Sequence, residues 1–127
     1  MPIFRKFAAA TLALTLAVAP ALAADPTGTW QSAKGDSRYE ISYCGEGGQL
    51  CAQLTWLRQD ARTAKNLPYL NKLVVNRAVP TAANRWKGDV NYDGERYAGN
   101  LTLTGERTMK VKGCKGMFCQ SFDLVRV

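Results

Sequence analysis

The sequence predicts an all-β fold, a small antiparallel up-and-down β-barrel of about eight strands, preceded by an N-terminal signal helix. Three observations carry this reading. Four cysteines fall in two close pairs, each bracketing a hairpin turn. Asp93-Gly94 is a two-residue hairpin signal, because glycine accepts a positive φ. The segments around these turns also sort into one apolar and one polar face, the period-two signature of a half-buried strand.

Residues 1–23 are expected to be an address for export. Arg5 and Lys6 form a positive start, Phe7 to Val18 is an apolar run, and Ala21-Leu22-Ala23 is a small-x-small cleavage site. The run is shorter than the roughly 20 residues of a spanning helix. No other segment is apolar enough to span, so no stable membrane span is expected after cleavage, and an uncleaved anchor is the rival reading. Residues 24–127 then form a single domain in the periplasm or outside the cell. The 127-residue chain carries 17 Lys and Arg against 10 Asp and Glu, a net charge of +7, and no histidine. The lack of histidine excludes Ser-His-Asp triads, Cys-His pairs and His-ligated metals.

An even cysteine count in an exported chain favours disulfides, with zinc as the rival. Setting Cys44 opposite Cys51 places Tyr43, Ile41 and Tyr39 opposite Ala52, Leu54 and Trp56 on one apolar face. Setting Cys114 opposite Cys119 places Val111 opposite Phe122, Met109 opposite Leu124, and Lys110 opposite Asp123 on the polar side. Both hairpins sort correctly, so bridges Cys44–Cys51 and Cys114–Cys119 are expected. Each closes a short loop and contributes less than the roughly 3 kcal/mol of a 15-residue loop.

The remaining strands follow in order. Asp93-Gly94 sets Val90 opposite Tyr97, Gly88 opposite Gly99, and Trp86 opposite Leu101. The turn at Gly105 is chosen so that Leu103 meets Met109 and Leu101 meets Val111, because a one-residue slip would turn every side chain to the wrong face. Strands are expected near 27–32, 37–44, 50–57, 72–79, 85–92, 95–104, 108–114 and 118–126. Closure of the barrel removes the unpaired edges of an open meander, and a two-sheet sandwich is the runner-up. Residues 58–71 break the pattern. Asp60 is expected to cap a short helix running to Asn66, ended by Pro68, over one barrel mouth.

With these elements in place, Gly28-Thr29-Trp30 on the first strand and Arg126 on the last resemble the lipocalin-like (calycin) signature. That resemblance implies a Trp closing the barrel base with an Arg packed across it. The chain also resembles a bacterial family of small exported proteins, the domain of unknown function numbered twenty-one forty-seven. The likeness lies in Gly28-Thr29-Trp30, Cys44 and Cys51 before Trp56-Leu57, Trp86-Lys87-Gly88 leading to Tyr92-Asp93-Gly94 and Tyr97, and Gly113-Cys114 before Cys119. Leu67-Pro68-Tyr69-Leu70-Asn71 stands where that family usually has an Arg-Pro-Leu-type segment, and Leu124-Val125-Arg126 where it usually ends in Trp-x-Arg. The resemblance implies architecture and compartment; no activity comes with it.

The registers line up Gly88, Gly99, Gly113 and Gln120 on the inward face. One reading is curvature, since glycine lets barrel strands bend. The other is a hollow floored by backbone, with Gln120 as its polar anchor and Tyr39, Trp56, Trp86 and Tyr97 as its walls. These aromatics also read as plain core, because eight strands enclose either a filled interior or room for one small ligand. From Arg58 to Lys87 nearly all charges are basic. Arg58, Arg62 and Lys65 are either a solvated face or a mouth that steers an anionic molecule.

The expected function is binding of a small apolar or amphipathic ligand, with an acidic, lipid-like head group drawn to the basic mouth. The alternative is a solid barrel acting through its surface as an envelope-polymer binder or enzyme inhibitor. Neither a cofactor nor a metal is expected, and the export signal disfavours nucleic acid. Catalysis is not expected: no G-x-S-x-G or S-x-x-K motif occurs, and no carboxylate pair falls at an evident cleft. The sequence leaves oligomeric state open.

Overall fold

The computed structural model describes residues 24–127, and the signal segment expected over 1–23 lies outside the described residues. The chain forms eight antiparallel strands: β1 (Gly28–Ser32), β2 (Ser37–Tyr43), β3 (Leu50–Leu57), β4 (Leu73–Ala82), β5 (Arg85–Tyr92), β6 (Glu95–Leu103), β7 (Thr108–Lys115) and β8 (Phe118–Arg126). Each strand pairs with its sequence neighbour, and β1 pairs with β8, so the sheet is a closed barrel. Trp30 lies opposite Arg126 and Ser32 opposite Leu124 along the closing seam. Sequential strand order puts the β1–β2, β3–β4, β5–β6 and β7–β8 connections at one end, here called the mouth. The described residues begin and end at the other, the base.

The interior is apolar, as period-two alternation requires. Ile41, Leu50, Leu54, Val75, Ala78, Val90, Leu101, Met109, Val111 and Leu124 form a single buried cluster with Trp30 and Trp86. The half of the barrel from β5 to β8 takes the expected registers. Gly88 meets Gly99 and Val90 meets Tyr97, Leu101 meets Val111, and Val111 meets Phe122. The turn that starts this run is of the kind its sequence demands, with positive φ at both Asp93 (49°) and Gly94 (77°).

The β2–β3 hairpin departs from expectation. Both cysteine pairs are bridged locally, yet Cys51 lies opposite Ser42, and Ile41 lies opposite Ala52. The slip is two residues from the expected pairing. A disulfide tolerates a Cα separation of about 4.4–6.8 Å, and Cys44 and Cys51 use 5.8 Å, so the bridge need not sit square across the ladder. A slip of two keeps Ile41 inward. It leaves Tyr43 at the hairpin end, 54% exposed rather than on the apolar face.

A register break between Arg38 and Tyr39 then pairs Arg38 with Trp56 and Tyr39 with Leu54. The extra residue reverses the faces beyond it. On β3 this turns Leu57 inward, where it is buried, while Trp56 pairs with outward Arg38, whose guanidinium lies 5.0 Å from the indole ring centre; β2 keeps its alternation, with Ser37, Tyr39 and Ile41 on the inward face. Trp56 is therefore outside the barrel, contrary to its assignment as a lumen wall. The expected helix from Asp60 to Asn66 is also replaced, by two single-turn 3-10 helices, Gln59–Ala61 and Leu67–Tyr69. Asp60 caps neither; it pairs with Arg58 at 2.6 Å. Pro68 sits inside the second turn and does not end a helix.

Candidate functional site

The glycine band is where strands and side chains approach closely, not the floor of a hollow. A Cβ on Gly88 would lie 2.9 Å from Ala78 Cα, and one on Gly113 would lie 2.7 Å from Tyr97 Cβ. A Cβ on Gly99 would overlap Val90 Cγ2 and stand 3.0 Å from the Gly88 carbonyl oxygen. Trp86 is buried in the core and donates from Nε1 to the Gly48 carbonyl at 3.1 Å. The remaining interior space between Ile41, Val75, Leu101 and Val111 is about 20 Å³, room for about one water. The band is thus a place of close packing, and no hollow opens at the glycines themselves.

Larger spaces lie at the two ends, one of about 280 Å³ at the base beside Asn84 and Glu106 and the others at the mouth end. One cavity of about 70 Å³ is bounded by Asp36, Ser37, Tyr39, Leu57, Tyr92 and Asp93. A second, of about 310 Å³, is bounded by Ser32, Lys34, Asp36, Ser37, Tyr39, Tyr92, Gln120 and Phe122. They share Asp36, Ser37, Tyr39 and Tyr92. The β1–β2 turn builds the polar part of this wall. The Ser32 hydroxyl donates to Asp36 Oδ1 and accepts the backbone N–H groups of Asp36 (3.0 Å) and Ser37 (3.2 Å). Such local side-chain bonds hold a turn in one shape. The Ser37 hydroxyl lies 3.3 Å from the same carboxylate and donates to the Tyr39 phenol oxygen at 3.0 Å. The apolar part is Tyr92 stacked on Phe122, with ring centres 5.1 Å apart.

Burial pushes the Tyr39 phenol above its ordinary pKa; the Ser37 hydrogen bond offsets part of this, and the Asp36 charge adds to it. Burial, with Asp36 and Asp93 nearby, also raises Tyr92. A phenol whose pKa is higher folded than unfolded stabilises the fold below the unfolded value of about 10, and that contribution is lost as pH rises through the folded value. Ultraviolet titration of the wild type against Tyr39→Phe is therefore expected to place the missing phenolate absorbance above pH 10. The variant is also expected to lose less stability than the wild type in alkali. Absorbance missing at a lower pH would contradict the buried phenol.

The other expected site residues fall as follows. Tyr39 lines both mouth cavities, and Gln120 lines the larger one. Tyr97 and Gln120 together line a third, more open space of about 590 Å³ beside Met117 and Phe118 at the β7–β8 tip. Arg58, Arg62 and Lys65 line neither mouth cavity. Arg58 is turned to Asp60 and to the Lys34 carbonyl, and Arg62 Nε donates to the Leu57 carbonyl at 3.2 Å. Carboxylates of Asp36, Asp93 and Asp123 outnumber the single lysine, Lys34, around the two cavities. At the base, Arg126 lies 4.4 Å over the Trp30 ring and donates to the carbonyls of Thr27, Asp25 and Glu106. Sequence reasoning passed over Ser32, Asp36 and Ser37, whose Ser-x-x-x-Asp-Ser spacing in a predicted turn was the available signal. Among the described residues, no three or more His, Cys, Asp or Glu side chains come together as a metal group.

A closed eight-stranded barrel with a filled interior and a polar, aromatic mouth defines a class of small β-barrel proteins. A family model described as an uncharacterized protein conserved in bacteria, DUF2147, matches residues 28–126, and the chain belongs to that family. No curated protein matches it. Among solved structures, a redesigned β-barrel is similar at 13% identity, with a TM-score of 0.46, covering 80% of this chain and 90% of that one.

Proposed function

We propose that this protein is an exported binding module, not an enzyme, and that it takes a small amphipathic molecule at its mouth. The observation that carries the reading is that two cavities of about 70 and 310 Å³ meet at Asp36, Ser37, Tyr39 and Tyr92, while the interior keeps only about 20 Å³. Binding pockets are mostly apolar with a few placed polar groups, and Tyr92–Phe122 beside Asp36, Ser37 and Tyr39 has that make-up. Export is supported by the two disulfides, which persist in oxidising compartments.

The lining changes the ligand's expected chemistry. Asp36 and Asp93 repel an acidic head group and accept hydrogen bonds from hydroxyl or ammonium donors. The ligand's apolar part rests on Tyr92 and Phe122, outside the filled core. The barrel thus holds the site rigid, and the mouth supplies the contacts.

The test is an amide-resolved NMR titration with octyl glucoside, octylamine and octanoate, each below its micellar concentration. Glucoside or amine is expected to move Ser37, Tyr39, Tyr92 and Phe122, octanoate to move them least, and Asp36→Asn to narrow the difference. Shifts centred on Leu101 and Val111 would mean an enclosed chain. Both that result and the absence of any mouth shift would overturn the reading.

A further inference from the structure

The β7–β8 hairpin ends in two large apolar side chains that no described residue covers. Met117 is 97% exposed and Phe118 is 82% exposed. They project from a turn whose base is clamped by Cys114–Cys119, so the tip cannot fold back to hide them without distorting the bridged ladder. Leu67, on the connection after β3, is another exposed apolar side chain at the same end of the barrel. Scattered surface leucines need no explanation, but a rigid apex with adjacent Met and Phe in water does.

Charge at this end selects the occupant. The described residues form two ion pairs, Arg58–Asp60 and Lys115–Glu95. Outside them, the mouth end carries Lys34, Arg62, Lys65, Lys72 and Arg96 on its connections and strand starts, against Asp36, Asp93 and Asp123, the carboxylates that line the mouth cavities. An excess of basic side chains at the end that carries the exposed apolar tip suits an anionic lipid surface: the apolar side chains enter the interface, and the Lys and Arg side chains are drawn to its charge.

We propose that the Met117-Phe118 tip inserts into an anionic phospholipid surface and holds the barrel on it by the β7–β8 edge of its mouth end, with the acidic mouth cavities tilted away from the lipid. The contact is peripheral and reversible, because two buried side chains and a few cations fall well short of a spanning segment. It stands whether or not the mouth takes a ligand.

The experiment is vesicle co-sedimentation of protein lacking residues 1–23, which keeps every strand of the closed barrel. Vesicles of phosphatidylcholine alone are compared with a phosphatidylcholine–phosphatidylglycerol mixture, at low and high salt. Binding to the mixed vesicles is expected, weakened by salt. Met117→Ser with Phe118→Ser is expected to lower it by about tenfold or more, because both buried apolar side chains are lost from the interface. Lys65→Glu with Arg62→Glu should weaken binding and flatten its salt dependence. All four side chains are exposed, so an unchanged near-ultraviolet circular dichroism spectrum serves as the folding control. The proposal is overturned if wild type stays in the supernatant, or if the serine variant sediments as wild type does. It is overturned too if sedimentation velocity shows a dimer that the serine variant dissolves, which would assign the tip to a second copy of the chain.

Discussion

Trp30→Ala is expected to cost about 3–5 kcal/mol of folding stability, the range for removing a fully buried large aromatic, as read by urea or guanidinium denaturation. That is a large share of the 5–15 kcal/mol available to a typical domain. Trp30 is 0% exposed, and its Nε1 donates to the Pro26 carbonyl at 2.9 Å. The face of its ring carries Arg126 at 4.4 Å, and Arg126 in turn ties down the Thr27 carbonyl at 2.6 Å and the Glu106 carbonyl at 2.9 Å. One indole therefore joins the first strand, the entering chain and the β6–β7 turn at the base. Trp30→Phe keeps most of the packing but leaves the buried Pro26 carbonyl without its donor, so a loss of about 1–3 kcal/mol is expected. In a double-mutant cycle, Trp30→Ala and Arg126→Leu should cost less together than the sum of the two, by about 1–2 kcal/mol, because the ring–guanidinium contact is lost only once. An additive cycle, or a Trp30→Ala cost below about 1 kcal/mol, would mean that the base is closed by something else.

How much of this was legible differs from one half of the barrel to the other. From β5 to β8 the ladder follows a turn whose residues name its type, Asp93-Gly94, and every later pairing inherits that start. In β2–β3 the cysteines identified the right partners but not the register, because a disulfide reaches diagonally as well as straight across. The register break opposite Arg38 has no residue signature: Thr55 and Trp56 are ordinary strand residues, and only the burial of Leu57 reveals the face reversal on β3. The mouth was harder still. Its polar wall comes from a turn and its aromatic wall from β5 and β8, so no local window holds both. Tyr39 was legible as an inward aromatic. Its partner Asp36 was not, because a carboxylate in a turn ordinarily faces water.

Gly99→Ala decides between the two readings the glycine band allowed from sequence. If the band floored an open pocket, an added methyl would enter space, and replacing a strand glycine would be neutral or favourable by about 0.5–1 kcal/mol, from the chain entropy glycine loses on folding. In the structure that methyl overlaps Val90 Cγ2 and lies 3.0 Å from the Gly88 carbonyl oxygen. The Gly88 backbone cannot retreat, because Ala78 Cα stands 2.9 Å from where a Gly88 Cβ would be. Glycine on β6 thus makes room for valine on β5, and glycine on β5 makes room for the backbone of β4. A destabilisation of about 1–3 kcal/mol is expected for Gly99→Ala, the usual cost of overpacking. Val90→Ala alone should also destabilise, by opening a void. The double variant separates strain from general intolerance: with the Val90 branch removed, the Gly99 methyl has somewhere to go, so the two costs should fall short of additivity by about 0.5–3 kcal/mol. A stabilising Gly99→Ala would instead restore the hollow interior and move the binding site from the mouth to the lumen.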